Sequence, residues 1–190
     1  LSESIIYMFF SHKYAPGGYA WVIPKGGNLY NVGLGVEGAY TGNLLKYHIQ
    51  FLRIIGGKPV EPYYGKPLPV GGMFKPITTG HAALLGDAAG MVMPTNGGGI
   101  FTAMMAAKIL AYAIEKFEPT VHALKEYESK ASMIIGSVIN HGYKLRRAIR
   151  KVMHRPTLFK MTFNILPVSL IRELIRGGRG TITKIITLVG

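Results

Sequence analysis

Cysteine is absent from all 190 residues, which removes disulfides and thiolate chemistry and fits a cytosolic protein. Acid is scarce as well: nine Asp and Glu stand against 22 Lys and Arg, for a formal net charge of +13. Aspartate occurs once, at Asp87, and tryptophan once, at Trp21. The six histidines form neither an HExxH pattern nor any paired ligand spacing, so no metal site is expected, and lone residues such as His81 and His141 read as structural. A GxSxG nucleophile elbow is also missing. The uncharged run from Ala88 to Ala107 has the length of a membrane span, but Pro94, Asn96 and four glycines make it a poor one. The chain opens at Leu1 with no signal-like segment and is already strand-like from Ile5. It is therefore expected to be the later part of a longer protein, or one half of a split one.

What charge there is lies unevenly. Residues 141–190 hold eleven of the 22 Lys and Arg and a single acid, Glu173. Between Tyr143 and Met153, Leu145, Ala148, Ile149 and Val152 form an apolar stripe, while Lys144, Arg146, Arg147, Arg150 and Lys151 cover the rest. Basic residues alternating with long apolar stripes favour a membrane surface over nucleic acid. Shorter helices broken at Pro156, Pro167 and Gly177-Gly178 follow, none long enough to cross a bilayer. Phe159, Phe163, Leu166, Leu170 and Leu174 are expected to cap a lipid tunnel or rest on a membrane, with packing against the protein as the alternative. The expectation is a cytoplasmic protein in peripheral contact with membrane.

At the other end, Ile5–Phe10, Tyr19–Ile23 and Leu29–Val36 read as strands separated by Pro16-Gly17-Gly18 and by the turn Lys25–Asn28. The period of two puts Tyr19, Trp21 and Ile23 on one face and Ala20 and Val22 on the other, giving the sheet an aromatic wall. The string Gly33 to Gly38 matches GxGxxG after a strand. It lacks the direct turn into an apolar helix that a dinucleotide fingerprint requires, because Ala39–Asn43 intervene before a helix expected over Leu44–Ile55. GGKP at 56–59 lacks the remaining elements of a phosphate-binding loop. Glycines and prolines from Gly56 to Pro76 mark a connection with an extended piece over Tyr64–Val70.

The chain is organised around His81–Ala111, which reads as a short apolar strand, a loop with Pro94 and three consecutive glycines, and a helix opening near Gly98. Asp87 stands where the strand ends, the place from which an α/β sheet offers a side chain to a ligand. Gly97, Gly98 and Gly99 allow backbone to approach a flat ligand, and the free N–H groups and positive dipole end of the helix face its negative charge. Along that helix Ile100, Ala103, Met104, Ala107, Ala111 and Ile114 share a face. A further helix opens at Pro119, and helical signal continues to about Met153.

GDAAG, six residues, then GGGI resembles the second FAD-binding motif of flavoproteins with the para-hydroxybenzoate hydroxylase type of fold. The resemblance implies that Asp87 contacts the ribityl or pyrophosphate part of FAD. It implies too that Pro94, Gly97, Gly98 and Gly99 form a turn against the pyrimidine side of the isoalloxazine, flanked by Gly86 and Ile100. A helix N-terminus beside reduced flavin stabilises it by up to about 2 kcal/mol, which for a two-electron couple is about 40 mV.

PGGYAWVIP, residues 16–24, resembles the PxxYxWxFP motif of geranylgeranyl reductases, flavoenzymes that saturate isoprenoid double bonds, with Ile23 in place of phenylalanine. Membership of that family implies that Tyr19, Trp21 and Pro24 contact the isoprenoid chain; the alternative is an aromatic pair packed in the core. It also implies that VGLG ends a sheet strand, that Tyr64–Val70 returns to the FAD domain, and that the true dinucleotide fingerprint lies in an N-terminal segment that this chain lacks. That segment would be supplied by the same or another chain.

The expected fold is thus α+β: a partial FAD-binding domain of the para-hydroxybenzoate hydroxylase type, with a β-sheet substrate layer and a C-terminal helical region. Residues 1–75 form the substrate layer with one helix, 76–118 the C-terminal part of the FAD-binding domain, and 119–190 the helical region. The expected activity is FAD-dependent saturation of geranylgeranyl diphosphate or a digeranylgeranyl glycerophospholipid in membrane lipid biosynthesis. The alternatives are an FAD-dependent aromatic monooxygenase of the same fold and a non-catalytic membrane-binding module. No catalytic acid is identified.

Overall fold

The computed structural model describes residues 1–153 and 155–169. The chain divides into two compact units, one of residues 1–64 and 150–165, the other of residues 65–149 and the described residues after 165.

The first unit is built on a three-stranded antiparallel sheet in the order β1 (Tyr7–Phe9), β2 (Tyr19–Gly26), β3 (Leu29–Gly35). The β2–β3 register sets Tyr19 opposite Gly35, Trp21 opposite Gly33 and Ile23 opposite Asn31. Ala20 and Val22 are fully buried, and they form a core with Ala15 and with Phe51 of α1 (Leu44–Ile55). Phe9 and Tyr14 meet the Phe51 ring at 5.2 and 5.0 Å. Tyr19, Trp21 and Ile23 occupy the other face and are half-buried, so the aromatic pair is not part of this core. Alternation decides this: two small side chains let the helix approach one face, and the bulky residues take the other. α1 ends at Gly56, in the left-handed region at φ 69°, with the Gly57 amide bonded back to Leu52 O at 2.9 Å.

The stretch from Tyr64 onward departs from the sequence expectation in two places. Tyr64–Val70 forms no strand; Pro67 and Pro69 remove two ladder donors from it. The strand before Asp87 shrinks to β5 (Ala82–Ala83), paired with β4 (Thr78–Thr79), and Asp87 sits in a 3-10 turn, Gly86–Ala89. The helix α2 spans Ile100–Phe117 and so opens near Gly98, as expected. Ile100, Met104, Ala107, Ala111 and Ile114 share a face, which is exposed, with Ala103 half-buried at its edge; the buried face is Thr102, Ala106, Ile109 and Ala113. The helix is apolar nearly all round, so periodicity alone does not choose a face. The Thr102 hydroxyl and the small Ala106 and Ala113 allow close packing in the core.

The helical run continues as expected. α3 (Val121–Ala131) is capped by Thr120, whose hydroxyl accepts from the Ala123 amide at 3.4 Å. A π-helical turn, Ser132–Gly136, joins it to α4 (Ser137–Met153), and α5 covers Pro156–Ile165. Tyr127, Ile135, Val138 and Ile139 close the core against Ile77, Met91 and Met93. α3 is pinned by polar contacts too. Glu128 accepts from Thr78 Oγ1 at 2.5 Å and from the Ile77 amide at 3.3 Å, and Tyr127 Oη donates to Leu84 O at 2.8 Å.

In the basic stripe of α4, Leu145 and Ile149 are half-buried while Ala148 is exposed. Arg150 pairs with Glu37 at 2.8 Å. Leu170, Leu174 and the Gly177-Gly178 break lie outside the described residues, as do the side chains of Phe159 and Phe163. Among the described residues, no helix is long and apolar enough to cross a membrane.

Candidate flavin and substrate sites

The candidate cofactor site belongs to the second unit, and glycine shapes it. Gly86 (φ 57°), Gly90 (φ 66°) and Gly97 (φ 72°) hold left-handed conformations that L side chains rarely adopt. At Gly90 a Cβ would come within 2.4 Å of Gly72 O, so the GDAAG turn can lie against the 71–74 connection only if this residue is glycine. The turn from Met93 to Gly98 is closed by its own amides: Met93 donates to Gly98 O at 2.8 Å and Gly97 to Met93 O at 2.9 Å. Asn96 Oδ1 accepts from the Gly98 amide at 2.8 Å. Thr102, buried in the first turn of α2, donates to Met91 O and lies 2.9 Å from Gly99 O.

These elements line an open pocket of about 550 Å³ whose lining includes Asp87, Gly97, Gly98, Gly99, Ile100 and Phe101. That volume is in the range of small-molecule sites. Asp87 lies beside the start of α2: a Cβ on Gly99 would stand 3.0 Å from Asp87 Oδ1. Asp87 Oδ2 is paired with Lys66 Nζ at 2.8 Å. Pro94 is fully buried, and Thr95 Oγ1 beside it is a buried hydroxyl with no partner among the described residues. A glycine cradle, a half-buried carboxylate held by Lys66 and the first amides of an 18-residue helix are a donor and acceptor set that fits a flat, polyhydroxylated, anionic cofactor.

Two contributors escaped the sequence reading. Lys66 sits in the proline-rich connection, where nothing in the local pattern ties it to Asp87. Arg146 reads in the sequence as one of the basic residues that surround the apolar stripe of Tyr143–Met153, yet its Nη1 donates to Pro94 O at 3.0 Å. The sequence signal for this second contact is Gly142, one helical turn earlier and buried. A Cβ there would meet Pro94 Cδ at 3.1 Å and Met93 Sδ at 3.4 Å.

The candidate substrate residues belong to the first unit. Tyr19 and Trp21 have ring centroids 5.8 Å apart, and Phe10 extends the aromatic surface to Tyr19 at 5.9 Å. Burial raises the Tyr19 phenol above its ordinary value of 10.0. Pro16 of the same motif is buried, and Gly18 lies so close to Gly35 that a Cβ would come within 2.1 Å of its carbonyl oxygen. Pro24 stands at the far end of β2, opposite Tyr30. Gly33 and Gly35 of the GxGxxG decoy are strand residues, and Gly38 begins a 3-10 turn, Gly38–Asn43, so no phosphate loop forms there.

The geranylgeranyl reductase catalytic domain profile matches residues 1–56. The chain is 31% identical over 199 aligned residues to the digeranylgeranylglycerophospholipid reductase of Methanocella arvoryzae, covering 95% of this chain and 50% of that protein. It is 36% identical to digeranylgeranylglycerophospholipid reductase 3 of Methanosphaera stadtmanae, covering 80% of this chain and 39% of that one. A crystal structure of a geranylgeranyl bacteriochlorophyll reductase-like protein from Thermoplasma acidophilum superposes with a TM-score of 0.65. It is 24% identical and covers 97% of this chain and 51% of that one; at that identity the likeness is one of fold. The profile and the curated relatives, rather than the likeness of fold, carry the family assignment. The chain belongs to the geranylgeranyl reductase family, and it spans about half the length, or less, of the curated relatives it matches.

Proposed function

We propose that the protein is an FAD-dependent reductase that saturates the double bonds of geranylgeranyl chains, on the diphosphate or on a digeranylgeranyl glycerophospholipid, in membrane lipid biosynthesis. The observation that carries this reading is the joining, in one chain, of a geranylgeranyl reductase catalytic segment over residues 1–56 with a glycine-lined pocket at the start of α2. The pocket supports a cofactor domain of the para-hydroxybenzoate hydroxylase type.

Reduced FAD, when bound, supplies the hydride for saturation. Asp87 would hold the ribityl or pyrophosphate part by accepting hydrogen bonds. The Pro94–Gly99 turn, with Gly86 and Ile100 at its flanks, would bring backbone against the ring. The start of α2 would stabilise negative charge on that ring. Tyr19, Trp21 and Pro24 would bed the isoprenoid and keep water from it. The exposed Lys144, Arg147 and Lys151 would draw the protein to anionic headgroups at the cytoplasmic face of a membrane.

The test supplies the protein with FAD and a flavin reductant and follows geranylgeranyl diphosphate and a digeranylgeranyl glycerophospholipid by mass spectrometry. A pair of hydrogens gained per saturated bond is the expected result. FAD bound and reduced with no mass gain on either substrate would overturn the reading.

A further inference from the structure

The indole of Trp21 is held in one place by two residues of the neighbouring strand. In the β2–β3 register Trp21 stands directly opposite Gly33, with Asn31 two residues along the same face. Trp21 Nε1 donates to Asn31 Oδ1 at 2.9 Å, a normal N–H···O length. The ring itself lies over Gly33: a Cβ at that glycine would come within 2.2 Å of Trp21 Cζ2 and 2.5 Å of Cε2. No real Cβ sits so close to a ring carbon, so any other residue at position 33 forces the indole off the sheet and away from Asn31. Gly33 has no left-handed backbone to account for it. Its lack of a side chain is explained by the indole alone. Tyr19, next along the face, is also opposite a glycine, Gly35, but nothing lies within 4 Å of a Cβ built there. The close approach is therefore specific to Trp21.

We infer that Asn31 and Gly33 are positioning residues for Trp21, fixing the rotamer of the one tryptophan that presents an apolar wall to the isoprenoid. The inference deepens the proposed function and rests on it for the identity of the ligand; the seat of the indole rests on geometry alone. A large aromatic ring loses little entropy on binding when it is already immobilised, so anchoring it improves ligand binding without adding a contact. The anchor acts through Trp21 and touches no reacting atom.

The test uses Asn31→Leu, which keeps the shape and removes the acceptor, Asn31→Asp, which keeps the acceptor, and Gly33→Ala. Trp21 is the only tryptophan in the sequence, so its fluorescence and indole N–H resonance report on this ring alone. Asn31→Leu and Gly33→Ala are expected to shift the emission to longer wavelength and to lose the hydrogen-bonded indole resonance, while Asn31→Asp retains both. With geranylgeranyl diphosphate, Asn31→Leu is expected to lower kcat/KM about fivefold, the ratio corresponding to one neutral hydrogen bond, mainly through KM. Asn31→Asp is expected to restore it. Unchanged spectra in Asn31→Leu would overturn the anchor, and altered spectra with unchanged KM would overturn its bearing on substrate. If Gly33→Ala fails to fold, the near-isosteric Asn31 pair still decides. A wild-type protein that binds FAD but reduces no prenyl chain would defeat the functional reading while leaving the spectra to judge the indole's seat.

Discussion

Arg146 of α4 donates to the carbonyl oxygen of Pro94 at 3.0 Å, so the helix that carries the basic stripe also holds the turn at the candidate flavin site. Hydrogen bonds from a charged donor contribute about 1.5–3 kcal/mol when sheltered. Arg146→Met, which keeps most of the aliphatic stem, should therefore lower the unfolding free energy by about 1.5 kcal/mol in urea titrations. It should also weaken FAD binding, because the turn loses its outside support. A variant as stable as the wild type and equally tight for FAD would contradict this.

The Lys66–Asp87 pair behaves differently. Its side chains are 71% and 43% exposed, and solvent-exposed pairs contribute at most about 1 kcal/mol. Asp87→Asn should leave the urea midpoint nearly unmoved yet sharply reduce FAD binding, separating a ligand role from a folding role. Equal loss of stability and flavin would assign Asp87 to the fold instead.

His48 should make the protein sensitive to mild acid. Burial lowers its pKa from the ordinary 6.5, against a smaller raising effect of a backbone hydrogen bond with Val32. Its Nε2 is buried without a partner among the described residues, and its ring meets Tyr63 at 5.1 Å. A folded pKa below the unfolded one means that the unfolded chain binds the proton first. Stability is therefore full above the unfolded value of 6.5 and falls as pH drops from there through the folded pKa. In urea titrations over that window His48→Gln should flatten the slope; a parallel slope would remove His48 as its source.

Tyr127 contributes a sensitivity to alkali. Burial, with the Glu128 charge adding to it, pushes its phenol from 10.0 up to about 12. Its raised folded pKa gives a contribution that is complete below 10 and is lost as pH rises toward 12. Tyr127→Phe should cost about 1 kcal/mol at neutral pH for the lost bond to Leu84 O and should show a shallower decline above pH 10. Circular dichroism along a pH titration reads both.

Local pattern carried much of this fold. The three N-terminal strands follow from period-two alternation, α1 from its position between a turn and Gly56, and the run to Met153 from continuous helical signal. What the sequence could not resolve depends on partners far along the chain. The exposed face of α2 was indistinguishable from its buried one because both are apolar. Arg146 looked like solvent-facing charge because Pro94, its partner, is 52 residues away. The GxGxxG string was informative in an unexpected sense: Gly33 is there to admit an indole. At Asp87 the strand, turn and helix order was legible, whereas the shortening of the strand to Ala82–Ala83, ahead of the 3-10 turn at Gly86–Ala89, goes with its pairing to only Thr78–Thr79.

A titration of the flavin-stripped protein with FAD, read by visible absorbance and flavin fluorescence, decides whether the turn ahead of α2 binds FAD. Wild-type protein is expected to take up FAD stoichiometrically. Asp87→Ala and Gly98→Val, each checked for an unchanged circular dichroism spectrum, are expected to lose it. Wild-type protein that takes up no FAD, or variants that bind it as tightly as wild type, would contradict the account.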